Sequence, residues 1–280
     1  MRPLGWLSAV LAVVVWSGFP AGPVQAQSPP SGPVPSPVAV DLELVLAVDV
    51  SRSMDHHEQV LQRAGYVAAF RDAEVIRAIR SGPIGRISVT YVEWAGTGLQ
   101  HVVLPWTLVD GPAAAQKVSE VLEFAPYEAR RRTSISDALL FTAALFQGSG
   151  YAGARRVIDI SGDGPNNQGV GVVHARDRVL DQGIVINGLP IMLNRRQPSG
   201  FFDVADLDLY YEDCVIGGFG AFIVTVTDPS EFVAAIRRKL ILEIAAAQPR
   251  LVPAQASSPL EPTDCLIGEK LWDMWMQGME

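Results

Sequence analysis

The sequence predicts an α/β protein: a mostly parallel central sheet with helices on both faces. Three observations carry that expectation. Short apolar, β-branched runs alternate with segments of helical spacing. The runs end in polar turns of Asp, Ser and Gly, as buried parallel strands do at their C-terminal ends. Hydrophobic residues make up 49% of the 280-residue chain and charged residues 19%, enough apolar material for a large core. That balance excludes disorder for most of the chain.

The elements follow in order. Residues 1–26 read as a secretory signal cleaved after Ala26: Arg2, the apolar run Leu4 to Trp16, Pro20 and Gly22, then Val24-Gln25-Ala26. An uncleaved anchor is the alternative, but the run falls short of the ~20 residues of a bilayer span. No Cys follows it to carry a lipid. Residues 27–39 form a linker rich in Pro, Ser and Gly. The domain proper is expected over 40–247. Leu42 to Val48 reads as a buried strand, and Asp55 to Ile79 as a helix with Val60, Ala64, Val67 and Phe70 on one stripe. Arg86 to Trp94 and Gln100 to Leu108 read as an antiparallel pair across Ala95-Gly96-Thr97-Gly98. Helices are expected over Pro112 to Phe124 and Ser134 to Phe146, then a strand over Arg155 to Ile160. A helix over Val170 to Gln182, strands over Ile184 to Leu189 and Ala221 to Val226, and a helix over Pro229 to Ala247 complete it. Residues 248–264 are a second linker. Residues 265–280 carry Trp272, Trp275 and three Met, too apolar for a free tail, and are expected to dock on the domain.

Charge narrows the partners. The 22 Lys and Arg are outnumbered by 30 Asp and Glu, for a formal net charge of -8, and the basic residues form no long stripe. Capture of nucleic acid or of an anionic membrane has no electrostatic basis.

The most informative residues are Asp49-Val50-Ser51-Arg52-Ser53, at the C-terminal end of the first strand. Oxygen-bearing side chains at i, i+2 and i+4 of a loop can turn toward one point, and hard divalent cations take such ligands. The competing reading is a helix cap, with Ser53 or Asp55 satisfying the first amides of the next helix. Asp163, in Ser161-Gly162-Asp163-Gly164, lies at a second strand end, and Thr133 opens a third loop. Open parallel sheets gather ligands at such ends.

The set Asp49-x-Ser51-x-Ser53, Thr133 and Asp163-Gly164 resembles the metal-ion-dependent adhesion site of von Willebrand factor type A (vWA) domains. The stretches VDLELVLAVDVSRSMD, GRISVTYVEWAG and YYEDCVIGG are also similar to a bacterial family of exported vWA-like proteins, domain of unknown function 1194. The resemblance implies a Rossmann-like domain of about six strands, one of them antiparallel at the edge. It implies that Ser51, Ser53 and Thr133 hold Mg2+ (or Mn2+ or Ca2+) by their hydroxyls, with Asp49 and Asp163 direct or through water. An acidic side chain of a partner protein would complete the cation. Many vWA domains carry glycines before the threonine, whereas Arg130-Arg131-Arg132 stand here. They read either as a solvated basic turn or as guanidiniums that help hold an anionic partner.

Cys214 and Cys265 are the only cysteines, and in an exported chain they are a candidate disulfide, against two buried free thiols. No phosphate-binding loop, dinucleotide fingerprint or nucleophile elbow is present. The function expected is an exported, periplasmic or secreted, non-enzymatic domain that binds a divalent cation and, through it, a protein. A metal-dependent hydrolase and a structural domain without a partner are the alternatives.

Overall fold

In a computed structural model, residues 36–193, 204–245 and 263–278 are described. The expected leader, the expected first linker up to residue 35, and most of the expected second linker lie outside them. Five strands form one sheet: β1 (Val38–Asp49), β2 (Ile87–Trp94), β3 (Gln100–Val109), β4 (Tyr151–Gly162) and β5 (Val185–Pro190), in the order β3-β2-β1-β4-β5. β1 runs parallel to β2 and β4, and β4 parallel to β5; only edge strand β3 is antiparallel, to β2.

β1 shows why the sheet needs cover on both faces. Leu42, Leu44, Leu46 and Val48 point into one apolar cluster, Val45 and Ala47 into another, which is the two-residue period of a strand. The first cluster is closed by α1 (His56–Arg71), α2 (Ala73–Arg80) and α3 (Pro112–Phe124), which bring Tyr66, Phe70, Val75, Ile79, Val118 and Leu122. The second is closed by α4 (Ile135–Leu145), α5 (Val172–Leu180) and α6 (Leu207–Tyr210), the last continued by a single wide turn over Tyr211–Val215. α7 (Phe232–Ile244) returns to the first layer, with Phe232, Ile236 and Leu240 buried.

Three expectations change in detail. The single helix over 55–79 is two helices, broken at Asp72. The sheet has five regular strands rather than about six. Residues 221–226 lie beside β5 through isolated bridges, Gly188 to Ile223 and Ile191 to Val226. The final segment forms α8 (Ile267–Gln277), and Cys214 and Cys265 form a disulfide whose Cα atoms are 5.5 Å apart. No described helix is long and apolar enough to cross a membrane.

Candidate metal centre

β1 lies between β2 and β4, so the chain leaves the sheet in opposite directions on its two sides. The crevice at the C-terminal ends of β1 and β4 is the switch point of this sheet. Asp49 ends β1, and Asp163 follows the last residue of β4.

Hydrogen bonds join the two loops into one chain of oxygens. The Ser51 amide donates to Asp49 Oδ1 (2.6 Å). The Ser51 and Ser53 hydroxyls lie 2.7 Å apart, and the Ser53 hydroxyl donates to Asp163 Oδ1 at 2.7 Å. Ser53 is free for this because Asp55 caps α1. Its carboxylate accepts from the Glu58 amide, and the Glu58 carboxylate accepts from the Asp55 amide. The loop is held from behind by Gln59, whose side-chain amide donates to the carbonyls of Met54 and Ser51. Gln62 donates to the Ser161 hydroxyl at the end of β4 (2.6 Å).

Thr133 enters from the third loop, and its position is set by backbone contacts on both sides. The Arg130 amide donates to the Val50 carbonyl (2.9 Å), bridging Arg130 to Ser51. On the other side the Thr133 amide donates to Asn167 Oδ1 (3.1 Å), and the Asn167 amide donates to the Thr133 carbonyl (2.9 Å). The Thr133 side chain is buried. Asn166 and Asn167 do much of this positioning, and sequence reasoning missed them. The local signal was a polar pair directly after Asp163-Gly164-Pro165.

Two of the three arginines have partners of their own, and the third is fixed through its backbone. Arg130 pairs with Glu128, the Arg131 carbonyl accepts from the Gly96 amide, and Arg132 adopts a left-handed backbone with its guanidinium 4.2 Å over the Trp272 ring.

The chemistry of the donor set fits a hard cation. Asp49 is fully buried, and its Oδ2 has no hydrogen-bond partner. A Cβ at Gly162 would sit 2.9 Å from that oxygen and from the Tyr211 hydroxyl, so glycine is what leaves the carboxylate its space. Burial pushes the Asp49 carboxyl well above the usual range, and the nearby Asp163 charge pushes it further; bonds from Ser51 and from the Asp163 backbone oppose both. Two carboxylates forced together among hydroxyls are the electrostatic complement of a divalent cation. The set holds two carboxylates and three hydroxyls. Among the described residues there is no group of three or more His, Cys, Asp or Glu that could hold a metal.

Comparison with known proteins places the fold. Proximal thread matrix protein 1 from the mussel byssus superposes with a TM-score of 0.52 at 13% identity, covering 75% of this chain and 48% of that one. A second structure of it, described as having a zinc occupied MIDAS motif, superposes with a TM-score of 0.50 at 13% identity over 75% and 49%. The pilus adhesin SpaC from Lactobacillus rhamnosus GG gives a TM-score of 0.52 at 12% identity, over 73% of this chain and 30% of that one. A von Willebrand factor type A protein from Catenulispora acidiphila gives 0.49 at 15% identity, over 74% and 43%. This chain thus spans about half, or less, of the length of these proteins. At such identities the likeness is one of fold. No curated protein matches the sequence. The sequence itself is matched over residues 39–248 by one family, and the chain belongs to it: Protein of unknown function (DUF1194).

Proposed function

We propose that this chain is an exported adhesion module. It would hold a divalent cation, Mg2+ in the first instance, on Asp49, Ser51, Ser53, Thr133 and Asp163, and bind a partner protein through that cation. The observation that carries the reading is the buried, partnerless Asp49 Oδ2 at the head of an oxygen chain that ends on Asp163.

The bound cation would supply an electrophilic centre that the protein's own ligands leave short of a full coordination shell. The chain's residues do the rest. Asp49 and Asp163 neutralise the charge, the hydroxyls of Ser51, Ser53 and Thr133 supply neutral oxygens, and Gln59 and Asn167 keep two of the loops in place. A carboxylate from outside is the ligand such a centre attracts best. Neutral hydroxyls among the ligands suit holding a cation rather than activating water, so the reading is non-enzymatic. Two of the solved structures of similar fold are a thread matrix protein and a pilus adhesin, which favours adhesion over turnover. The leader-like residues 1–26 and the disulfide support export to the periplasm or beyond.

The test is calorimetric titration of Mg2+ and Mn2+ into the protein and into Asp49→Ala, followed by capture from envelope extract with Mg2+ or with EDTA. Binding by wild type alone, and a protein retained only by wild type with Mg2+, are expected. Equal ion binding by Asp49→Ala would remove the metal site. Identical captured proteins in Mg2+, in EDTA and with Asp49→Ala would remove adhesion.

A further inference from the structure

We propose that α8 is a strut for the metal centre, held by the Cys214–Cys265 disulfide, and that cation affinity therefore depends on that disulfide. The inference rests on the metal reading above and adds a means of control to it.

The strut acts through Asn166. This residue is fully buried, three positions after Asp163. Its amide N–H donates to the Tyr210 hydroxyl (3.1 Å), and its Oδ1 accepts from the Ser136 amide in the first turn of α4 (3.0 Å). Its Nδ2 donates to the Val170 carbonyl (3.2 Å) and to Glu269 Oε1 of α8 (2.7 Å). Asn166 thus ties the Asp163 loop to the start of α4, directly after Thr133, while Asn167 clasps Thr133 itself. Glu269 is the contact that comes from outside the domain body. A second contact from α8 reaches the Thr133 loop: the Arg132 guanidinium lies over the Trp272 ring.

The fit is close but narrow. A Cβ at Gly268 would come within 2.1 Å of the Asn166 carbonyl oxygen, so only glycine lets the helix approach this far. Gly268 is the one buried residue among those of α8, and Met274 and Met276 stay exposed. Ile267 packs against the second apolar cluster and Thr263 donates to Asp213, but most residues of the helix are exposed. The covalent link to buried Cys214 supplies the high local concentration that keeps α8 seated. Opening it is a two-electron step. A dithiol gives two electrons and two protons, the Sγ–Sγ bond becomes two thiols, and the dithiol leaves as its own disulfide.

The test uses the disulfide-intact chain, with Mn2+ titrated and followed by electron paramagnetic resonance. The variants are Glu269→Ala, Glu269→Gln and the double variant Cys214→Ser/Cys265→Ser. Removing a partner that orients metal-binding loops costs about tenfold in affinity. That loss is expected for Glu269→Ala and for the cysteine variant. Glu269→Gln keeps the acceptor for Asn166 and should stay near wild type, which a charge effect or a general loss of stability would not give. Wild-type affinity in both Glu269→Ala and the cysteine variant overturns the strut and leaves the metal reading standing. If wild type itself takes up no Mn2+, the metal reading fails, and hydrogen exchange at the Thr133 and Asn167 amides decides the strut. Faster exchange in Glu269→Ala and in the cysteine variant upholds it, and unchanged exchange overturns it.

Discussion

Asp49 is the residue where function and stability oppose each other. Its carboxylate is fully buried at the end of β1, with Oδ1 accepting from the Ser51 amide and Oδ2 left without a well-formed hydrogen bond. An unsatisfied buried acceptor costs about 1–3 kcal/mol, and the adjacent Asp163 charge adds to that. Asp49→Asn removes the charge while keeping the shape. In EDTA the variant should therefore be more stable than wild type by about 1–2 kcal/mol. With Mg2+ the order should reverse, because a ligand bound only by the folded state stabilises it. Thermal unfolding in both buffers checks this, and an Asp49→Asn variant less stable than wild type in EDTA would refute it. Asp49 and Asp163 could be proposed from the sequence because each lies at a strand end, and Ser51 and Ser53 because they follow Asp49 in local spacing; Thr133 lies between α3 and α4, and only the resemblance pointed to it. The residues that shape the space around Asp49 Oδ2, Gly162 and Tyr211, were not legible. They reach it from distant points in the chain, and no local pattern encodes that approach.

At the scale of elements, Asp72 shows where periodicity misleads. The apolar stripe continues through Val75 and Ile79, so 55–79 reads as one helix, with no Gly or Pro close to residue 72 to mark a break. Asp72 instead leaves helical geometry (φ -76°, ψ 130°) and serves as N-cap of α2, its Oδ1 accepting from the amides of Glu74 (2.7 Å) and Val75 (3.4 Å). Asp72→Ala should lower stability by about 1 kcal/mol through the lost cap. Arg237→Ala should change stability by only a few tenths, because its pairing with Asp72 at 3.5 Å is half-exposed. Urea denaturation separates the two; an equal loss from both would assign the effect to the ion pair. The segment 221–226 misleads in the opposite way. Its composition is that of a strand, and its backbone does pair with Gly188 and with Pro190 to Met192. But the Phe222 amide turns to the Asn187 side chain (3.0 Å), which interrupts a regular ladder. Side-chain competition for a backbone donor is invisible to hydrophobic patterning. The α/β alternation was legible because every strand and helix that makes the two layers buries its own apolar face.

For the molecule as a whole, the buried charges between α7 and the sheet set how stability varies with pH. Lys239 Nζ of α7 lies 2.6 Å from Asp159 Oδ1 on β4 and 2.6 Å from Glu243 Oε1 one turn on, all three almost fully buried. Asn187 Nδ2 of β5 donates to Glu243 Oε1 (3.2 Å), Tyr66 of α1 faces Asp159, and Arg155 of β4 faces Glu243. Burial tends to lower the Lys239 ammonium, but the two carboxylates outweigh it and hold it up, so it stays charged. One cation facing two carboxylates leaves a surplus negative charge. Burial first, and the Glu243 charge second, push the Asp159 carboxyl up to about 7. The sign follows from proton counting. Between the unfolded value of 3.8 and about 7 the folded chain holds a proton that the unfolded chain has lost. Stability therefore falls as pH rises through that window and levels off above it, with a limiting slope of about 1.4 kcal/mol per pH unit for one proton. Asp159→Asn cannot lose that proton, so its urea-derived stability should fall less than that of wild type between pH 4.5 and pH 7, in the same EDTA buffer. Asp49 is common to both proteins, so whatever it contributes cancels in the comparison. Parallel profiles for the two would mean that Asp159 is ionised throughout, and that Lys239 alone neutralises the pair that fastens α7 to the sheet.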